Sequence, residues 1–597
     1  MLKIKKTECR KIWFLLLFIV LNLIEWLKAT QTGDVWKVAV NVSGLVVMAL
    51  VVSAYPGKEV FGTFSKVYGV ICLAVMVGIY GYWWLNPGQF ILWQYLTVVM
   101  NLWLIGTMLR VLWRRASAGR LKRQKWDILG VLWVLLTIVM VVSKSGRVWP
   151  IWFFLIYGMF YLTEYSEEDK TFLVEGMVEG TILSFFIMQI YAYGFRPYDE
   201  VRYKGPLSNC NMTALYYLIV YCMILAKLHF LTLKKAAKIK KLFWIIMAGG
   251  LLCFQFLTLC RTAWLSAIAV TFVYGILIMK RIWKDSLLKV LGKAVLLGVI
   301  TLALFPVVFG TVRWLPTILH HPIWYEGEWS EEKVHSFDPA DSEKYVTMEE
   351  FLDTALGRFL QIFEEPRGSE GQVQQGVEQV QQREEQVQQG ESVLQSEEQV
   401  EQSEEQVQQR ESVESQEALE DSRLNRRGSD NTDGDLTNEL FMPDGYDQAS
   451  AEAIGDEVPI LDNSKDWTSS EIRVAIFKAY WNDLNWRGHS EKEGYYLITP
   501  KYRCWHAQNL WLQIAYYYGI PAGILLVVLT VVMIYYYISR CYQGKLDQKY
   551  GVLPLLFVIL YFSFGVLEVV WNPGQLVFIL IFLVQHPGLF RKDIGIR

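Results

Sequence analysis

Residues 288–310 read LKVLGKAVLLGVITLALFPVVFG. At about 1.5 Å of rise per residue, a helix of this length crosses a hydrocarbon core of about 30 Å. Beyond Lys293 the run carries no charge that would have to enter lipid. Similar apolar blocks recur near residues 12–28, 35–54, 66–84, 89–109, 126–143, 148–163, 170–192, 212–231, 242–259 and 262–280, and again near 510–538, 550–568 and 571–588. The expected fold class is therefore an all-α polytopic integral membrane protein of about 14 transmembrane helices. Composition agrees, because 19% charged residues against 53% hydrophobic departs from a soluble domain, of which about 25% is charged.

The formal charge of −2 hides two opposite populations. About forty of the 59 Asp and Glu residues fall between residues 311 and 509, so the apolar part is basic. Lys3, Lys5, Lys6, Arg10 and Lys11 precede the first block, Arg110, Arg114, Arg115, Arg120, Lys122, Arg123 and Lys125 follow the fourth, and Lys234, Lys235, Lys238, Lys240 and Lys241 follow the eighth. If Met1 begins in the cytoplasm, the short inside loops collect about thirty Lys or Arg and the short outside loops about six. That asymmetry predicts cytoplasmic termini and an extracytoplasmic position for the large polar loop. The first block has the basic start and apolar middle of a signal peptide but lacks a small-residue cleavage site.

The chain thus divides into spans 1–11 over residues 1–310, a large extracytoplasmic loop over 311–509, and the last three helices over 510–597. Within the loop, residues 369–418 repeat a Gln-Val-Gln-Gln theme, with Val373, Val380 and Val387 seven apart. A coiled coil needs apolar residues at both a and d, and each repeat mostly offers one valine amid Gln and Glu. Such sequence buries too little to offset its ordering entropy, so the segment from about 369 to 466 is expected to be a disordered, solvated insert. Helical patterning resumes over 469–485, where Ser469 and Ser470 are candidate caps and Ile472, Ala475, Ile476 and Tyr480 recur at helical spacing.

Three short segments join charge to polar turn chemistry. The first is Arg202-Tyr203-Lys204-Gly205-Pro206-Leu207-Ser208-Asn209-Cys210-Asn211, in which Asn211 is placed to cap the following span. The second is the hairpin Thr258-Leu259-Cys260-Arg261-Thr262-Ala263-Trp264. The third, Trp505-His506-Ala507-Gln508-Asn509-Leu510-Trp511-Leu512, opens the block at 510–538, and helical spacing would put His506 and Asn509 on one face. Each has a bland alternative: a snorkelling arginine, a helix cap, an interfacial histidine. Recurrence of arginine at two turns on the same side points instead to an anion. An arginine deep in lipid costs at least about 2.5 kcal/mol and so needs water or a polar partner.

In this order and on this topology, the three segments resemble the O-antigen ligase and O-antigen polymerase (Wzy-like) family of bacterial surface-polysaccharide enzymes, over about residues 190–530. Arg202, Gly205, Asn209 and Asn211 match a loop of the form R-x-x-G-x-x-x-N-x-N, Thr258, Arg261 and Trp264 match T-x-S-R-x-x-W, and His506, Asn509 and Leu512 match H-x-x-N-x-x-L. Arg473 to Trp481 and Gly488 look like the family's loop helix and glycine turn. Cys210 stands where the family usually has Pro, and Cys260 where it has Ser. With Cys504 these put three thiols near the segments, open either to a regulatory disulfide or to chance placement of small residues.

The resemblance implies a bacterial plasma (inner) membrane enzyme, a glycosyltransferase that moves a polyprenyl-diphosphate-linked glycan donor onto the hydroxyl of a glycan or lipid acceptor. It implies Arg202, Arg261 and Arg473 on the diphosphate, His506 as catalytic base, and Asn209, Asn211 and Asn509 as orienting or sugar-binding residues. No cofactor or metal is expected, and no nucleic acid; membrane lipids and other polysaccharide-assembly proteins are the further partners. Ligase and polymerase differ in acceptor, for which the sequence has no readable code. Glu175 and Glu179, four apart in one span, and Glu568 near the end of the block at 550–568, are ionisable groups at membrane depth, to be read as functional or as a polar seam. The competing readings are a transporter or flippase, which should show internal repeats, a rod-shape-type peptidoglycan polymerase, which would rely on an outer carboxylate, and a non-catalytic assembly scaffold.

Overall fold

The computed structural model describes residues 6–30, 34–85, 92–119, 128–146, 149–195, 202–207, 210–319, 323–326, 333–336, 347–360, 460–461, 469–490, 496–499, 502–504, 506–543, 550–569, 576–586 and 589. The Gln-Val-Gln-Gln insert, apart from residues 460–461, lies outside the described residues. So does Asn209. One compact unit comprises Met1–Ala355 and Phe441–Arg597, and Leu356–Leu440 forms a second, described only over 356–360.

The described chain is mostly helical. The helices are α1 (Lys6–Thr30), α2 (Asp34–Ser53), α3 (Gly57–Val60), α4 (Thr63–Leu85), α5 (Leu92–Ser117), α6 (Ile128–Val142), α7 (Trp149–Leu162), α8 (Glu167–Phe195), α9 (Cys210–Leu233), α10 (Lys238–Leu257), α11 (Arg261–Val273) and α12 (Leu287–Ile318). After them come α13 (Met348–Leu360), α14 (Ser469–Asn482), α15 (Leu510–Tyr518), α16 (Ile520–Tyr542), α17 (Leu553–Gly565) and α18 (Leu576–Gln585). Among the described residues seven helices are long and apolar enough to cross a membrane: Thr63–Tyr82, Glu167–Tyr193, Cys210–Leu233, Lys238–Leu257, Arg261–Ile282, Leu287–Leu315 and Ile520–Tyr542. The stretch 510–538, expected as one span, is two helices, because the chain turns at Gly519 with φ 91°.

Helix α9 lies at the centre of the bundle, with Ala214 to Ala226 buried without interruption. A helix buried on every side must satisfy its own hydroxyls through its neighbours. Tyr216 donates to Asn22 Oδ1 (3.1 Å) on α1, Tyr217 to Gln189 Oε1 (2.8 Å) on α8, and the hydroxyls of Tyr221 and Thr271 on α11 share a hydrogen bond of 2.8 Å. Helices α1 and α8 come close because Gly176 and Gly180 are small at the crossing. A Cβ on Gly176 would stand 2.9 Å from the α1 backbone, at Leu15 N. In α8 the two glutamates are not a mutual pair. Glu175 faces Lys11 Nζ at 3.3 Å on α1, and Glu179 accepts from Lys227 Nζ at 2.8 Å on α9, where Tyr550 adds a second oxygen at 3.1 Å. Each acid has its own cation in the bundle, as in a polar seam between helices.

Two short antiparallel hairpins pair β1 (Ile323–Glu326) with β2 (Lys333–Ser336) and β3 (Tyr496–Thr499) with β4 (Tyr502–Cys504). The second hairpin packs on α14 around buried Ile476, Tyr480, Ile498, Cys504, Ala507 and Tyr516, forming a small cap before α15.

Candidate functional site

Chain turns at one end of the bundle carry the site. After α8 the backbone of the first motif is pinned to the hairpin between α10 and α11. Tyr203 N donates to Leu257 O (2.9 Å), and Arg202 Nε donates to Thr258 O (3.1 Å). Gly205, at φ 63°, lets the loop pass over α9, where a Cβ would lie 2.6 Å from the Tyr217 hydroxyl. Thr258 closes its own turn by donating to Gln255 O (2.7 Å), and Leu259 takes a left-handed φ of 49°. Helix α11 then begins at Arg261, so the second motif opens a helix beside the first.

Helix α14 supplies the third cation. Burial of Ala475, Ile476 and Tyr480 against the β3–β4 hairpin fixes its rotation, and this leaves Arg473 facing the bundle. Arg473 Nε donates to Gln508 Oε1 (3.2 Å), and its Nη2 lies 3.8 Å from Glu568 Oε1. Glu568 accepts from Asn211 Nδ2 (3.2 Å), while Asn211 Oδ1 accepts from Arg202 Nη2 (2.6 Å). A polar chain thus runs Arg202, Asn211, Glu568, Arg473, Gln508 across four segments of sequence. Arg261 stands close enough to Arg473 and Arg202 for the three positive charges to act on one another.

No family model, curated protein or solved structure matches the chain. The motif likeness therefore rests on these residues and on where the fold carries them.

Arg202, Asn211 and Arg473 meet, with Arg261 beside them, but several local expectations change. Asn211 does not cap α9. The helix already begins at Cys210, and the amide spans Arg202 and Glu568 instead. His506 and Asn509 do not share a helical face, because α15 starts only at Leu510 and Asn509 is extended (φ −147°, ψ 125°) as its N-cap, accepting from Leu512 N at 3.0 Å. The other end of the same amide donates to Val566 O (2.8 Å), tying the third motif to the end of α17. The side chains of Ser469 and Ser470 lie outside the described ones.

His506 occupies the irregular chain between β4 and α15, two residues before Gln508, and its carbonyl accepts from the Cys504 thiol (2.9 Å). Burial holds its imidazole below the usual histidine range, leaving it neutral and able to accept a proton near neutral pH. Gln508 adopts a left-handed φ of 47°, a conformation that a side chain with Cβ pays for. No disulfide joins Cys210, Cys260 or Cys504. Burial and the nearby Glu568 carboxylate push the Cys260 thiol up to about 12, so it stays protonated and unreactive.

Sequence reasoning did not see what three features bind, although it had named Glu568 as an ionisable group, quoted Gln508 in the third motif and noted Gly488. Gln508 and Glu568 sit far along the chain from the arginines they bind, and no spacing rule links them. The turn 485–489 is the third: Asn485 Oδ1 accepts from Arg487 N and Gly488 N (2.9 and 2.6 Å), His489 N donates to Tyr516 O (3.1 Å), and Ile520 N donates to Asn485 O (2.9 Å). That turn clamps the α15–α16 break beneath the cap. Among the described residues no group of three or more His, Cys, Asp or Glu is placed to hold a metal ion.

Proposed function

We propose that this protein transfers or polymerises polyprenyl-diphosphate-linked oligosaccharide onto a hydroxyl acceptor at the outer face of the bacterial plasma membrane, as the O-antigen ligase and polymerase resemblance implies. In this reading the chain makes fourteen crossings with both termini cytoplasmic, and the loop 311–509 is extracytoplasmic. The observation that carries it is the polar chain that joins Arg202 through Asn211 and Glu568 to Arg473 and Gln508, with Arg261 within electrostatic reach of both other arginines. A site built to stabilise a departing diphosphate needs cationic donors fixed in advance. Arginine suits that task because its planar fork binds phosphate oxygens bidentately and stays charged.

In the reaction, the acceptor oxygen attacks the anomeric carbon opposite the diphosphate. The new C–O bond forms as the anomeric C–O bond breaks, and the electron pair leaves on the diphosphate oxygen facing the arginines. The acceptor's hydroxyl proton passes to the neutral imidazole of His506, and attack from the opposite face inverts the anomeric centre. Asn509, already committed to the helix cap, acts by fixing the chain that carries His506 and Gln508. A lipid-linked glycan flippase would use the same arginines on the same diphosphate but has no need of a neutral imidazole as base, and a non-catalytic scaffold leaves the arginines without a role.

The test is the lipid-linked glycan that accumulates when the protein is deleted. Single repeat units on polyprenyl diphosphate identify a lost polymerase, and long unattached chains a lost ligase. Unchanged lipid-linked pools would overturn the reading.

A further inference from the structure

Glu568 lies past the end of α17, between Arg473 and the Asn211 that holds Arg202, and outside the three motifs, although the sequence marks it as an ionisable group. Its carboxylate receives Asn211 Nδ2 at 3.2 Å and faces Arg473 Nη2 at 3.8 Å, with the side chain 18% exposed. Asn211 in turn holds Arg202 Nη2 at 2.6 Å. The block at 550–568 was expected to carry this residue within a span. Helix α17 instead ends at Gly565, so the acid stands on the turn where Val566 O receives Asn509. The charged and titratable groups that act on it are Arg473 on α14, Arg202 from the loop before α9 and Cys260 before α11; Arg261 at the start of α11 in turn feels Arg473 and Arg202, and Cys210 at the start of α9 feels Cys260. Three cations brought together without an anion would repel one another strongly at low local dielectric.

We propose that Glu568 is a positioning residue of the anion site, an internal carboxylate that holds Arg473 directly and Arg202 through Asn211 until an anionic ligand displaces it. This rests on reading the cluster as the diphosphate site. A carboxylate in that position keeps the guanidinium groups oriented in the empty protein, so less ordering is left for the ligand to impose. It also competes with the ligand for the same donors, and the strength of the competition follows its charge. Burial pushes the Glu568 carboxyl up to about 7, against the pull of Arg473 and Arg202. Below that pH it is increasingly neutral and leaves the arginines to the ligand. Above it the carboxylate is charged and competes. Over the same range the arginines stay charged, Cys260 stays protonated and His506 stays neutral above its depressed value.

The experiment uses sulfate, whose charge is constant from about pH 6 to 8, as the probe anion. Full-length protein in detergent is titrated with sodium sulfate against sodium chloride at matched ionic strength, with thermal stabilisation as the readout. In the wild type, apparent sulfate affinity should fall several-fold from about pH 6 to 8, approaching tenfold per unit where one proton is linked. In Glu568→Gln it should be flat and no weaker than the wild type at the acidic end. A shape-retaining residue that served only packing would leave the wild-type slope in place. If Arg202→Gln weakens sulfate binding while Glu568→Gln keeps the wild-type slope and affinity, the role of Glu568 is overturned and the anion site stands. Sulfate binding that is indifferent to Arg202→Gln removes the anion site and the inference with it. Should the Gln variant fail to fold, a flat wild-type profile alone overturns the proposal.

Discussion

Arg202 donates through Nε to the Thr258 carbonyl and through Nη2 to Asn211, so two of its nitrogens are spoken for while the group remains half-buried beside Arg261 and Arg473. Lysine has one point of charge and no fork, and it cannot keep both bonds at once. Arg202→Lys should therefore lose nearly as much transfer rate as Arg202→Ala, about one to two decades if one charge-assisted bond of about 1.5–3 kcal/mol is lost in the transition state. A lysine variant within about twofold of wild type would reduce Arg202 to a general positive charge. The pH profile follows from two groups whose shifts point in opposite directions. His506 is held below its ordinary value, so its base form is already available at neutrality, and kcat should climb only on the acid side of about 6.5. Glu568 is raised to about 7, so the donor KM should rise above neutrality as the competing carboxylate charges, and Glu568→Gln should remove that alkaline rise. At this scale the arginines were legible, because an arginine beside a turn in an apolar chain is costly without a purpose. Glu568 was legible as an ionisable group but its place among the arginines was not, because its contact with Asn211 joins residues 357 apart and depends on how α9 and α17 pack.

Among the elements, the break between α15 and α16 does most to position the third motif. Gly519 lies at φ 91° and Gly488 at φ 78°, and each backbone fills the space that a Cβ on the other would need. A methyl on Gly519 would sit 2.3 Å from Trp486 O, and one on Gly488 2.3 Å from Tyr517 O. Gly519→Ala combines a left-handed strain of about 1–2 kcal/mol with an overlap that must move the turn 485–489. It should lower thermal stability in detergent and reduce transfer, while Gly78→Ala, which meets nothing within 4 Å in α4, should do neither. Equal stability of the two variants would show that the clamp does not hold the cap. Apolar runs made the helices readable, but not this break. Residues 510–538 are apolar on both sides of it, and the glycine's left-handed turn becomes necessary only once the turn 485–489 packs there. The helical pattern of 469–485 was legible because one side packs into a small cap, where Ala475, Ile476 and Tyr480 are buried and alternate with exposed Val474 and Trp481.

For the whole molecule, the central position of α9 explains why the first motif can meet the others. A helix buried on all sides sets its first turn beside Glu568, which faces Arg473 on α14, and the polar chain from Arg202 to Gln508 forms across that end. Residues 369–418 lie outside the described residues. An enzyme built as proposed should keep its transfer activity when they are deleted, whereas a scaffold that uses the acidic loop as a tail should lose its function. Topology is tested by labelling single cysteines introduced into a cysteine-free background. Labels beside Gly488 should react with an impermeant reagent from outside intact cells, and those beside Lys235 should not, if the basic loops lie in the cytoplasm. The most direct measurement is release of polyprenyl diphosphate from a polyprenyl-diphosphate-linked glycan by the purified full-length protein in proteoliposomes, with wild type, His506→Ala and Arg202→Ala side by side. Wild type should release it with formation of the glycosylated acceptor, Arg202→Ala should be slower by one to two decades, and His506→Ala should be inactive though normally inserted. Release by His506→Ala at the wild-type rate, or no release by any of the three, would contradict the proposed glycosyl transfer.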